Sequence, residues 1–260
     1  MMSDGPRNLP PREPARPYSK VRSQLATGDL FFLQTTTRVG RWIEKLEEQA
    51  DLPPYSHVGM VIKDDADLFL WDAPGGGDCF VDPYARDDPD NRLYGLHVEH
   101  PGCRVSALDD VLAYYATKVA VPKGGVPGFW VRQLTPPVSR EQFTALRKFI
   151  NRVDGLPFLT DFGYFPLLAN FAAGQRRTTL SFGTYFCSQL VADSYMHMGL
   201  LEMEARPPNA YAPAHFGIET ADFGMTDPPP LVKPAALGGL CFVTWDRSVG
   251  QGTRCKQEAW

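Results

Sequence analysis

A cysteine at the start of a helix, a histidine at the head of a strand and an aspartate at the end of the next strand are the residues of this chain best suited to covalent chemistry. Cys187 lies in Gly183-Thr184-Tyr185-Phe186-Cys187-Ser188-Gln189-Leu190-Val191, where an aromatic run passes into a helical pattern. Leu190, Val191, Ser194 and Tyr195 recur on one face of it. Thr184 is the expected N-cap, which puts Cys187 in the first helical turn. Free N–H groups and the positive end of the helix dipole there favour a thiolate over a thiol. The same place also suits a small buried hydrophobe that opens a core helix, so a nucleophile needs a base nearby.

His57 begins the run Ser56-His57-Val58-Gly59-Met60-Val61. At the first position of a strand, next to a glycine, its ring can project from the sheet toward a helix terminus. Asp72 ends the following run, Leu68-Phe69-Leu70-Trp71-Asp72. If the two runs form a tight antiparallel hairpin, the end of the second lies beside the start of the first. Asp72 then falls near His57, where a carboxylate orients the imidazole and favours its charged form. Taken singly, His57 also suits a structural role and Asp72 a solvated turn before Ala73-Pro74.

The elements that must position these residues follow from pattern. Leu30 to Leu33, after Gly28-Asp29, reads as a buried strand; Val39, Trp42, Ile43 and Leu46 recur at helical spacing. Strands are expected over 57–62 and 68–71, turned at Asp64-Asp65. Ser106-x-x-Asp109 is expected to open a helix through Tyr115, and 129–134 to form a fourth strand. Ser139-x-x-Gln142 is a capping-box pattern for a helix that turns Phe143, Leu146, Ile150 and Val153 inward and closes at Gly155. The Cys187 helix ends at Gly199, and a proline-rich connection leads to a last strand over 240–245. Without regular β-α-β alternation the fold class is α+β. Residues 1–22 are expected to be a flexible arm, 23–246 a single domain with a loop-rich insertion at about 75–105, and 247–260 a polar tail.

Gly28-Asp29-Leu30-Phe31-Phe32, Ser56-His57-Val58-Gly59-Met60-Val61 and Phe186-Cys187-Ser188-Gln189-Leu190-Val191 together resemble the NlpC/P60 papain-like cysteine hydrolases. In most of that family the cysteine helix comes first. The reversed order resembles the circularly permuted branch, which includes the YiiX/YaeF-like proteins and, more distantly, lecithin:retinol acyltransferase-like enzymes. The resemblance covers roughly 28–73 and 138–216. It implies an antiparallel sheet packed against the helix of the nucleophile, with Cys187 as nucleophile, His57 as general base and Asp72 as the third residue. Gly155-Leu156-Pro157-Phe158 resembles the family's Gly-x-Pro-Tyr turn, with phenylalanine in place of tyrosine. Tyr185, Ser56 and Phe158 are the candidate oxyanion or substrate-binding residues.

The implied reaction is cleavage of an amide bond in a peptide or cell-wall-like substrate, through an acyl-enzyme and without a cofactor. A second possibility is a lipid thiol acyltransferase or phospholipase, for which the apolar segment 158–173 would hold an acyl chain; that segment equally suits core packing. A third is a ligand-binding protein without turnover. Cys79, His97, His100 and Cys103 form a ligand set zinc would accept, but lack a tight Cys-x2-Cys knuckle; solvated insertion residues are the default. Arg176-Arg177 is a short basic pair, and His197 and His215 read as structural.

Composition bounds the rest. The chain has 260 residues and a formal net charge of -4, which argues against nucleic acid as a general partner. Its 5 cysteines are odd in number and widely spaced, unlike a disulfide framework. No run reaches the roughly 18 to 20 apolar residues of a membrane span, and the polar, proline-rich start has no secretory h-region. A cytoplasmic location is expected, with delivery by lysis or a non-standard secretion route for any wall substrate.

Overall fold

The computed structural model describes residues 15–35, 38–49, 53–75, 102–116, 128–159, 183–203, 206–219 and 229–246. In chain order the strands are β1 (Arg16–Pro17), β2 (Leu30–Leu33), β3 (His57–Asp64), β4 (Asp67–Asp72), β5 (Arg104–Ala107), β6 (Gly128–Arg132), β7 (Leu134–Thr135), β8 (Ala236–Leu237) and β9 (Cys241–Thr244). The helices are α1 (Tyr18–Val21), α2 (Arg38–Gln49), α3 (Leu108–Tyr114), α4 (Arg140–Val153), α5 (Cys187–His197) and α6 (Pro213–Gly217).

Among the described residues, seven strands make one sheet in the order β1-β9-β6-β2-β3-β4-β5. Every pairing in it is antiparallel except that of β1 with β9. The central strand β2, Leu-Phe-Phe-Leu, is buried along its whole length. It has no polar alternation because both faces of the sheet are covered. Phe31, Leu33, Val61, Leu70, Phe129 and Val131 pack with Tyr18 and Val21 of α1 and Leu108, Val111 and Leu112 of α3. Leu30, Phe32, Val58, Met60 and Trp71 pack with Leu146, Phe149 and Ile150 of α4 and Leu190, Val191 and Tyr195 of α5. The molecule is thus an α+β arrangement around a mostly antiparallel sheet.

The hairpin β3–β4 forms as the pattern predicts, with Asp65 at φ 49° in its turn. Asp tolerates that left-handed conformation better than most residues do. Gly28, ahead of β2, has φ +96°, and a Cβ there would lie 2.6 Å from Leu134 Cδ2. The neighbouring Asp29 carboxylate accepts the N–H groups of Ala26 and Leu134 at 2.9 Å each. The Gly-Asp pair therefore joins the start of β2 to the start of β7. The capping box of α4 is present, with the Ser139 hydroxyl accepting Gln142 N–H and the Gln142 side chain accepting Ser139 N–H.

Four expectations need correction. The N-terminal arm does not extend to residue 22: from Arg16 onward the chain is docked. Tyr18 is fully buried, stacks on Trp245 at 5.3 Å and donates to Asp109 Oδ1 at 2.6 Å. Its partners lie more than ninety residues away, so local composition could not reveal them. Second, the insertion ends earlier than 105, because Arg104 already begins β5 and pairs with Asp72. Third, Ser106 does not open a helix. It lies in β5 opposite Leu70, and α3 starts at Leu108 after an Ala107 N-cap with no side-chain cap. Asp109 instead receives a two-toothed hydrogen bond from Arg22.

Fourth, 129–134 is not one strand. β6 stops at Arg132, and β7 leaves to pair with β8 in a separate two-stranded sheet. The break is stabilised by Arg132, whose guanidinium donates to the carbonyls of Gly238, Phe216, Ile218 and Leu237 at 2.7–3.0 Å. Residues 1–14, 76–101 and 247–260 lie outside the described residues. No helix among the described residues is long and apolar enough to cross a membrane.

Candidate active site

Cys187 is the first residue of α5, so its backbone N–H belongs to the group that has no acceptor within the helix. The N-cap is Phe186, not Thr184, and no side chain caps the helix. The Cys187 side chain is buried. Three hydrogen bonds hold α5 in place. Ser188 Oγ donates to Tyr211 O at 2.7 Å, Tyr195 OH donates to Gly28 O at 2.5 Å, and Trp71 Nε1 donates to Ser194 Oγ at 3.0 Å. The last ties the helix to β4, one residue before Asp72.

His57 opens β3, opposite Leu33 of β2. Asp72 closes β4. Extending the register Met60↔Trp71 by one step sets Asp72 beside Gly59, so Asp72 and His57 share a side of the sheet, two residues apart along it. Gly59 leaves room for them, since a Cβ there would stand 3.2 Å from Asp72 Cβ and 2.8 Å from Leu70 Cδ1. His57 Nε2 lies 3.0 Å from Asp72 Oδ2, with both side chains buried. Cys187 lies close enough for its side chain to act on the imidazole. With Nε2 turned to the carboxylate, Nδ1 is the nitrogen left for the sulfur. The three residues singled out from the sequence therefore converge.

Electrostatics follow from that contact. Burial pushes the His57 imidazole down, but the charge on Cys187 and the hydrogen bonds to Asp72 and Cys187 outweigh it and lift it to about 10. Burial also works against an ionised Asp72. The hydrogen bond from His57, the Arg104 charge and the Tyr115 hydroxyl nevertheless hold it below its ordinary value. A carboxylate and an imidazolium thus form a buried, hydrogen-bonded pair beside the Cys187 side chain.

The secondary candidates take other places. The Ser56 hydroxyl accepts Thr35 N–H at 2.7 Å and donates to Leu33 O at 3.4 Å, which fixes the entry to β3. Tyr185 OH donates to Asp193 Oδ2 at 2.7 Å, well along α5 from Cys187. Phe158 forms a bridge with Tyr185 and sits beneath Gly75, just past Asp72. The Gly-x-Pro-Phe segment acts as a splint. Gly155 N–H donates to Cys103 O, Leu156 O accepts from Cys103 N–H, and Pro157 O accepts from Tyr185 N–H. It couples the strand that carries Arg104 to the lead-in of the cysteine helix.

Cys103, one of the four candidate metal ligands, is a buried core residue, and burial pushes its thiol up. Cys79, His97 and His100 lie outside the described residues, as do residues 160–173 of the apolar segment and Arg176-Arg177. His215 is fully buried, with Nδ1 accepting Ala212 N–H at 2.7 Å. The ring of His197 packs on Phe149 at 4.5 Å.

Three functional candidates were not apparent from the sequence. Tyr115 OH donates to Asp72 Oδ2 at 2.8 Å, and Arg104 Nε stands 3.6 Å from Asp72 Oδ1. Glu47, fully buried on α2, accepts Tyr55 N–H at 2.7 Å and Ala214 N–H at 3.0 Å. It holds the approach to β3 against α6. Tyr115 had a legible signal, as the fourth member of Leu108, Val111, Leu112 and Tyr115 at helical spacing. Arg104 had none, because its strand is only four residues long.

No family model matches the chain, and no curated protein matches it. Among solved structures it is similar to the crystal structure of the metalloprotein yiiX from Escherichia coli O157:H7, at 18% sequence identity over 67% of each chain, with a TM-score of 0.39. The word metalloprotein describes that neighbour; among the described residues of this chain, no three His, Cys, Asp or Glu side chains group as a metal site.

Proposed function

We propose that this chain is a cysteine hydrolase that cleaves amide bonds in peptide or cell-wall-like substrates, on a papain-like core in circularly permuted order. The observation that carries the reading is the buried His57–Asp72 contact, with Cys187, whose side chain acts on that imidazole, at the first residue of a helix that packs on a mostly antiparallel sheet. The order of histidine strand, aspartate strand and cysteine helix is the one the permuted resemblance implies.

The chemistry runs through the residues in place. The Cys187 thiolate attacks the carbonyl carbon; a C–S bond forms and the carbonyl π pair moves onto oxygen. The N–H of Cys187 faces the developing oxyanion at the helix start, where the dipole is positive. The intermediate collapses by breaking the C–N bond, and the leaving amine takes the Nδ1 proton of the His57 imidazolium. Neutral His57 then removes a proton from water as the water oxygen attacks the thioester. The acid product leaves, and the thiolate–imidazolium pair is restored. Asp72 stays ionised and keeps Nε2–H pointed away from the sulfur.

The test is Cys187→Ala, assayed against peptidoglycan fragments, peptides and phospholipids. The expected result is loss of turnover and of thiol-probe labelling in a protein that melts like the wild type. Unchanged turnover in that variant would refute the mechanism. Equal binding by both proteins, with turnover by neither, would make the chain a ligand-binding protein instead.

A further inference from the structure

Asp72 closes β4 and accepts the His57 contact. It is fully buried, and groups from each element packed against it face its carboxylate. From β3, His57 Nε2 reaches Oδ2 at 3.0 Å; from the residue after α3, Tyr115 OH reaches the same oxygen at 2.8 Å. From β5, Arg104 stands directly opposite in register, with Nε 3.6 Å from Oδ1 and the side chain only 1% exposed. The Cys103 thiol, just before β5, also feels the carboxylate charge.

We propose that Arg104, assisted by Tyr115, is a positioning residue that keeps Asp72 charged and aimed at His57 at every stage of the reaction. For its chemistry this rests on the hydrolase reading above. In the attacking form that the proposed mechanism requires, thiolate, imidazolium, carboxylate and guanidinium sum to zero. In the acyl-enzyme the sulfur is a neutral thioester and His57 has given up its proton. The carboxylate then has only the guanidinium to balance it, and the sum is again zero. Without Arg104 both states carry an uncompensated negative charge in the interior, which low-dielectric surroundings oppose strongly. Removing a cation strengthens proton binding at every neighbour, so Asp72 would become neutral more readily and cease to orient the ring. Tyr115 spans the other side: its hydroxyl occupies Oδ2 alongside His57, and its ring packs edge-on against the imidazole at 5.8 Å.

The test is the titration of the Asp72 carboxyl carbon by NMR on the full chain, in wild type, Arg104→Gln, Arg104→Lys and Tyr115→Phe. In the Gln variant the Asp72 midpoint should rise by about 1 pH unit or more, the effect of losing an opposite charge at this range. In the Lys variant, which keeps the charge, it should stay within about half a unit of wild type. The Phe variant should show a smaller rise than the Gln variant. A folded Gln variant with an unmoved midpoint would overturn the proposal. If the Gln variant does not fold, the Lys variant decides alone, and a rise of a full unit there means that shape rather than charge holds the acid. The titration is read on the resting protein, so it reports on Arg104 whether or not a substrate is turned over; failure of the hydrolase reading appears in the Cys187→Ala comparison.

Discussion

At the scale of single residues, Asp72 and His57 depend on each other through one 3.0 Å contact between two buried groups. Replacing Asp72 with Asn removes the charge, and leaves only a neutral, weaker acceptor, beside the imidazole. The His57 midpoint should then fall from about 10, as read by NMR of the ring. Turnover should drop by roughly 10²- to 10⁴-fold, the range for a misoriented general base. Arg104 would keep a buried charge with its counter-ion gone, so the variant should also lose roughly 3–5 kcal/mol in a denaturant titration. A rate loss without a change in the His57 midpoint would show that Asp72 acts by packing alone.

Elements matter because the site is assembled from the ends of three of them. The Trp71–Ser194 hydrogen bond clamps α5 to β4, directly behind Asp72. Trp71→Phe keeps most of the apolar surface and loses that bond. It should cost roughly 1–2 kcal/mol and slow labelling of Cys187 by a thiol probe. Ser139→Ala is the matching control. It removes the α4 capping box at an exposed position, and should cost about 1 kcal/mol while leaving the labelling rate unchanged. Parallel loss of labelling in both variants would mean that general stability, not the clamp, sets reactivity. The hairpin was readable from alternation and its turn residues. That Asp72 lies beside Gly59 rather than His57 was not, since register depends on the turn that actually forms.

At the scale of the whole molecule, buried titratable groups bound stability on both sides of neutrality. The His57 value is raised, so its contribution is complete below about pH 6.5 and is lost as pH rises through about 10. His215 is the opposite case. Burial and the nearby Arg206 charge push it down to about 3, so its contribution holds above pH 6.5 and is lost as pH falls toward 3. The lowered Asp72 adds a further loss as pH drops below its ordinary value of 3.8. The contributions of these three groups together are therefore greatest near pH 6.5. A series of denaturation midpoints from pH 3 to 10 checks this, and His57→Gln should flatten the alkaline limb while leaving the acid limb in place. A monotonic rise of stability up to pH 10 would contradict the assignment of His57 as a charged, buried group.

The sequence by itself determined the parts of the site whose signals are local. Cys187 sits where an aromatic run becomes a helix, His57 where a strand begins, and Asp72 at the end of a run expected to return along the first. The α+β class and the strands over 30–33 and 57–62 were legible because apolar runs and turn residues are short-range properties. Only the tertiary structure decided what lies beside them. It docked Tyr18 against Asp109, made a strand of Arg104 to Ala107, committed the Tyr185 hydroxyl to Asp193, and brought Arg104 and Tyr115 to the far side of Asp72. These are contacts between residues tens of positions apart. They are set by strand register and by the need of buried charges for partners, neither of which leaves a periodic mark on the chain.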